Sequence, residues 1–305
     1  MGEIAGLIAA FTWSCTSVML ASLSARTSPV ALSALRLGAA TLALPIVLLV
    51  SGTASEIGDA SMLTILGIAG SGFLGYGLGD TVYIRALNVL GIQITFPMTM
   101  AFFIGLTVLG GIVLLDEPVT IGLLGGAILV ALGASLLFSS SKRRTAAADI
   151  EARARGLAPS VRPGWAAWAL LPLVGIFWAV ATLWLSASKG DLSAIAVGTI
   201  RTPAGAVALL TFGMITQPGS MRAPFADRMH IGTIVVAGLL GTLFGSLLYV
   251  YSVVEAGAAK AAVLSATAPL MALPLGVIFL GEPFTRRSVG GTAACVGGIL
   301  LLTIL

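Results

Sequence analysis

Residues 91–138 read GIQITFPMTMAFFIGLTVLGGIVLLDEPVTIGLLGGAILVALGASLLF. A charge-free run over 92–115 meets an acidic turn of Asp116, Glu117 and Pro118, and a second charge-free run ends at Phe138. Each run is long enough to cross the roughly 30 Å hydrocarbon core of a bilayer as a helix. The design returns near the C-terminus, where residues 261–280 lead into Gly281, Glu282 and Pro283, and 288–305 follow.

The two copies match in register. Glu117 and Glu282 are 165 positions apart, as are Pro118 and Pro283, Gly125 and Gly290, Trp13 and Trp178, and Arg36 and Arg201. Between them Gly79 pairs with Gly245, Tyr83 with Tyr249 and Gly91 with Gly257, now 166 apart, so one residue is gained and then lost. Chance matches a few glycines in a chain with 38 of them. Trp, Arg, Tyr and Glu-Pro in one order identify two tandem copies of one unit.

The composition names the solvent. The chain is 58% hydrophobic and 9% charged, with a mean hydropathy of +1.07. Soluble domains carry about 25% charged residues, so a soluble fold could not cover its surface. The net charge of +4 is no nucleic-acid footprint, because the basic residues sit in short loops beside apolar runs. Cys15 and Cys295 lie in apolar segments and read as small buried hydrophobes. The single histidine, His230, offers no metal cluster. No ATP-binding P-loop is present, and no cofactor is expected. The first apolar run carries Glu3 where a secretory signal would be basic, and its Trp13 has a counterpart deep in the chain, so it is kept as a membrane helix.

Length predicts ten spans, since most faces are apolar and periodicity says little. They fall at about 4–23, 30–50, 62–84, 92–115 and 119–138 in the first unit, residues 1–140. In the second, residues 165–305, they fall at about 165–187, 193–215, 231–254, 261–280 and 286–304. Pro29 and Pro118 suit first helical turns. Pro97, Pro269 and Pro274 fall inside helices 4 and 9, where they mark bends beside a cavity. A charged linker, 141–164, joins the units and can hold a short surface helix around 146–155.

Five spans per unit is an odd number, so the second copy enters the membrane from the opposite side. The expectation is an all-α polytopic membrane protein with ten transmembrane helices, arranged as two inverted five-helix repeats around a central cavity. Loops on the side of the termini carry Lys189 and Lys260, and the other side carries twelve basic residues, six of them in the linker. The positive-inside rule then places the linker in the cytoplasm and both termini outside.

Ionisable residues inside a membrane are functional candidates, because charge there costs about 2.5–3.5 kcal/mol on insertion scales. Arg36 and Arg201 each lie about two turns into a helix, and Asp80 sits near the end of helix 3. Arg36 and Asp80 fall on the same half of the membrane and are placed to meet. The second copy has Ser246 where Asp80 stood, leaving Glu255 as the candidate partner for Arg201. The competing reading is that these arginines snorkel or brace helices. Glu117 and Glu282 precede proline at a helix start, where an acid caps free N–H groups.

Trp13 and Trp178 stand mid-helix, and Tyr76, Tyr83, Tyr249 and Tyr251 lie on the paired helices 3 and 8. Aromatic walls with a few polar tips suit a cavity for amphipathic solutes. Ser14, Gln93, Thr95, Ser265 and Thr267 can add hydrogen bonds there and Met98 apolar contact, with helix packing the alternative for each. The glycine series from Gly67 to Gly79 and from Gly232 to Gly245 permits close helix contact. Gly77-Leu78-Gly79-Asp80 is similar to the GxGD motif of intramembrane aspartyl proteases. That chemistry needs two carboxylates sharing a proton, and the other aspartates (Asp59, Asp116, Asp149, Asp191, Asp227) fall in loops.

The tandem five-helix unit, with Trp in helix 1, Arg in helix 2 and Asp-Glu-Pro or Gly-Glu-Pro between the last two helices, resembles the EamA family of the drug/metabolite transporter superfamily. The resemblance covers both units. It implies a secondary transporter, sufficient as a monomer, exporting amino acids or other small metabolites across the cytoplasmic membrane, with protons as a candidate coupling ion. One departure is the loop between helices 2 and 3, acidic here (Glu56, Asp59) where many relatives are basic. A membrane scaffold without transport is the alternative class.

Overall fold

The computed structural model describes residues 1–90, 92–133, 135–136 and 164–265, with isolated positions from 267 to 301. Side chains at 92–94 and 97 lie outside the described set. So do most of the linker, the later part of helix 9, most of helix 10, Pro269, Pro274, Glu282 and Cys295.

Nine helices carry the described architecture: α1 (Gly2–Ser24), α2 (Pro29–Ser51), α3 (Met62–Leu90), α4 (Ile92–Leu114), α5 (Ile121–Gly133), α6 (Trp165–Ser188), α7 (Ala194–Thr216), α8 (Arg228–Ala256) and α9 (Ala258–Ser265). Six of them, α1–α3 and α6–α8, are long and apolar enough to cross a bilayer, and α4 and α5 add shorter apolar stretches. Large apolar side chains point outward, among them Leu42 and Ile121, each 80% exposed. In a soluble protein this would be a liability; here it is the lipid-facing surface. The protein is an all-α polytopic membrane protein.

The helix starts are specified locally and in matched pairs. Ser28 Oγ accepts from Ala31 N at 3.3 Å and Ser193 Oγ from Ala196 N at 3.3 Å. Ser61 accepts from Thr64 N at 3.1 Å, and Asp227 from Met229 N and His230 N at 2.9 and 3.3 Å. Each cap satisfies N–H groups that have no partner within the helix. Ser51 and Thr216 end their helices 165 positions apart, whereas Met62 and Arg228 begin theirs 166 apart. The inserted residue therefore sits in the α7–α8 connection, where loops absorb length changes most easily.

The acidic loop has a structural reason. It forms a short helix, Ala54–Asp59, and Glu56 Oε2 accepts from Ser193 N at 2.7 Å. A carboxylate at the start of α7 meets free N–H groups and the positive end of the helix dipole.

Helices α3 and α8 run longer than the sequence expectation, by six residues at the end of α3 and by three and two residues at the two ends of α8. Polar ends such as Asn88 resemble loop in a hydropathy reading. Asn88 instead donates to Ser24 O at 2.5 Å and anchors α3 to α1. Both helices widen into π-helical segments at their glycine clusters, Phe73–Gly79 and Gly238–Gly245. Such widenings recur at functional sites because they free carbonyls and re-aim side chains.

Contacts between the halves are reciprocal. Helix α1 packs on α8 as α6 packs on α3; α2 meets α8 as α7 meets α3; α1 meets α9 as α6 meets α4. Helices α2 and α7 meet each other, as do α4 and α9.

One acidic residue acts differently from its sequence expectation. Pro118 lies in a stretch without regular secondary structure ahead of α5, and Thr120 caps that helix, its Oγ1 accepting from Leu123 N at 3.0 Å. Glu117 caps a helix of the other half: its Oε1 accepts from Ala258 N at 2.7 Å and its Oε2 from Ala259 N at 3.0 Å. The local reading failed because it gave the acid to the nearest helix start. Glu117→Ala is expected to lower stability by about 1–3 kcal/mol, the cost of leaving such donors unpaired. Glu117→Gln should retain part of it. Thermal melts of the purified protein check both.

Candidate functional site

A cavity with about 700 Å³ of empty space, part of it open to the surroundings, lies where α1, α2, α3, α4, α6, α7 and α8 converge. Of the candidates drawn from sequence, Trp13, Tyr76, Asp80, Tyr83, Trp178 and Tyr249 line it, together with Arg36 and Arg201.

The aromatic wall is continuous. Phe96 faces Tyr83 at 6.2 Å between centroids, and Tyr83 faces Trp178 at 5.0 Å. Phe103 sits 6.2 Å from Trp178 and 6.4 Å from Tyr249. Tyr249 closes the series against Trp13 at 5.1 Å. All these separations lie in the range of favourable aromatic pairing. The phenols have partners: Tyr83 donates to Ser17 Oγ at 3.0 Å, and Tyr249 hydroxyl shares a 2.9 Å bond with Thr182. Ser17 and Thr182 are themselves 165 apart, so the tandem register already carried this pair, which the sequence reading missed.

Charge is distributed unevenly. Arg36, 5% exposed, donates from Nη2 to Asp80 Oδ2. The other oxygen, Asp80 Oδ1, accepts from Trp178 Nε1 at 2.9 Å. Trp13, the counterpart of Trp178, donates instead to Gly241 O at 3.1 Å in the widened segment of α8. Ser246 Oγ donates to the same carbonyl at 3.2 Å. Arg201, 2% exposed, has neutral partners: Nε donates to Ser71 Oγ at 3.0 Å and Nη1 to the Tyr76 hydroxyl at 3.1 Å. Its guanidinium stands 4.4 Å from the Tyr76 ring centroid, within cation–π range. Glu255 is exposed beside Gly2 and does not pair with Arg201.

Other sequence candidates lie outside the cavity lining. Thr95 is fully buried outside the cavity lining. Met98 packs against the cluster of Ala86, Leu90 and Leu171. Ser265, also fully buried, donates to Ala262 O at 3.0 Å. Ser14 donates to Ala268 O at 2.5 Å and Thr267 to Leu264 O at 2.6 Å, and neither lines the cavity. The face of α4 that does line it is Phe96, Met100 and Phe103, one helical stripe at spacings of four and three. The bond from Trp178 and the pair with Arg36 occupy both oxygens of the GxGD aspartate.

The sequence profile of the EamA-like transporter family matches residues 1–139 and again 165–304. The chain belongs to the EamA-like transporter family. That family is part of the drug/metabolite transporter superfamily. An uncharacterized transporter of Archaeoglobus fulgidus is 35% identical over 85 residues, 28% of this chain. The match spans only 31% of that relative's length. A solved crystal structure superposes with a TM-score of 0.73, covering 99% of this chain and 96% of the other at 18% identity. At that identity the likeness concerns the fold.

Proposed function

We propose that this EamA-like protein is a secondary transporter that exports small amphipathic metabolites, amino acids foremost, by alternating access between its two halves. The observation that carries the reading is the cavity itself. Both halves line it, and each supplies a mid-helix Trp, a Tyr packed at a tilt against the other half's Trp, and a buried Arg. Reciprocal contacts of this kind suit an inverted repeat, in which one half rocks against the other around a fixed central site. The cavity's described lining holds one carboxylate and aromatic walls, which suits binding of an amphipathic solute better than hydrolysis of a peptide bond.

Proteoliposomes holding the purified protein are expected to take up members of an amino-acid and metabolite panel without ATP. No flux for any member would overturn the proposal and leave a membrane scaffold as the better reading. The orientation proposed from loop charge puts both termini outside the cytoplasmic membrane. A single cysteine introduced at position 150, with Cys15 and Cys295 replaced, should then be shielded from impermeant thiol reagents in intact cells. Ready labelling there would reverse the orientation.

A further inference from the structure

We infer that Arg201 is the docking point for a carboxylate of the transported solute, an inference that rests on the transport reading and narrows its substrate class. The cavity's described lining carries two guanidinium groups and one carboxylate. Arg36 and Asp80 neutralise each other. Arg201 is buried as deeply, yet among the described residues no carboxylate lies within ion-pair distance of it. The described ion pair of Asp80 is with Arg36, and its other oxygen accepts from Trp178.

The guanidinium is held in place without being discharged. Ser71 and Tyr76 fix Nε and Nη1. Nη2 stands 3.3 Å from where a side chain on Gly75 would begin, and Gly75 also lines the cavity. The glycine leaves room at the one nitrogen that no described side chain engages. A guanidinium presents its donors in a planar fork that matches a carboxylate.

The other half shows the completed form. Arg36 occupies the matching position, and its Nη2 binds the carboxylate of Asp80. Ser246 replaces that aspartate on the Arg201 side and turns its hydroxyl to Gly241 O. A bound solute would thus supply to Arg201 the carboxylate that the chain itself supplies to Arg36. Trp13, Trp178 and Tyr249 give the rest of such a solute an apolar and aromatic lining, so the class is amphipathic carboxylates.

The test uses the full-length protein and phenylacetate against its neutral analogue phenylacetamide. Binding is read by quenching of tryptophan fluorescence and by the shift of thermal melting; flux of both probes is followed separately in proteoliposomes. Phenylacetate should bind about ten-fold or more tightly than the amide, since a site built for a charged group discriminates against an analogue lacking it. Arg201→Gln should abolish that preference. Ser246→Asp, which keeps Arg201 and adds a carboxylate to the same cavity, should abolish it too, and it serves where Arg201→Gln fails to fold.

Equal binding of acid and amide, no response to the acid, or a preference that survives both variants would overturn the assignment. Chloride or inorganic phosphate alone displacing phenylacetate at equal concentration would assign the site to a free anion instead, which also overturns it. Transport of the amide as fast as the acid sinks this inference and leaves the transporter reading standing. A preference in binding with no flux of any solute would do the reverse.

Discussion

Asp80→Asn is expected to destabilise the protein by about 3–5 kcal/mol, the cost of leaving one partner of a buried ion pair uncompensated. Asp80 is the only described polar partner of Arg36, whose Nε has none. The substitution keeps the size of the side chain and can keep an acceptor for Trp178 Nε1. What it removes is the charge opposite the guanidinium. Arg36→Met in the same chain removes the stranded charge as well, so the double variant should recover part of the lost stability. Absence of coupling between the two changes in a double-mutant cycle would show that the pair contributes nothing. Flux measured with and without a pH gradient separates frame from mechanism. Loss of uphill transport with exchange retained assigns Asp80 the coupling proton, since an amide cannot cycle one. Loss of both, restored together with stability in the double variant, assigns it to the frame.

What the sequence made legible was the register. Trp13 and Trp178, Tyr83 and Tyr249, Gly79 and Gly245 were matched by spacing alone. In the structure each Tyr faces the Trp of the other half, and each Gly abuts the same Trp. These residues could be found because Trp, Tyr and Arg are rare in apolar runs, so their recurrence carries information. The face of α4 could not. With Thr95, Phe96, Met98, Met100 and Phe103 crowded into one uncharged helix, no polar side marks the outside, and period 3.6 has nothing to register against. Thr95 and Met98 are one and two positions from the residues that line the cavity. In the second half the matching stripe is Ala261, Ser265 and Ala268, all fully buried. Small residues there let α9 pack close to α1, so Ser265 is spent on packing. The partner of Glu117 was hidden for another reason: it lies 141 residues away, and local capping rules look only at the adjacent helix.

Gly72→Ala should be among the most damaging single-methyl changes in the chain, and Gly238→Ala its weaker twin. The added carbon at Gly72 would lie 2.0 Å from Arg201 O, and at Gly238 2.5 Å from Arg36 O. Real contacts of this kind do not fall below about 3 Å, and in both cases the obstacle is backbone in the facing helix. Neither α3 nor α7 can yield locally, because the carbonyl belongs to a helical ladder, so the pair must move apart and forfeit contacts along the crossing. Overpacking of this kind costs about 1–3 kcal/mol or more. The effect should also reach the cavity, because the carbonyl that is pushed belongs to the arginine whose guanidinium lines it. Gly105, in α4 with nothing within 4 Å of the added carbon, is the control: there alanine should be neutral or stabilising by up to about 1 kcal/mol, as helix propensity favours it. Thermal melts of the three variants test the order Gly72, Gly238, Gly105 from most to least harmful. Gly72→Ala melting with the native protein would mean that α3 and α7 do not cross at this glycine.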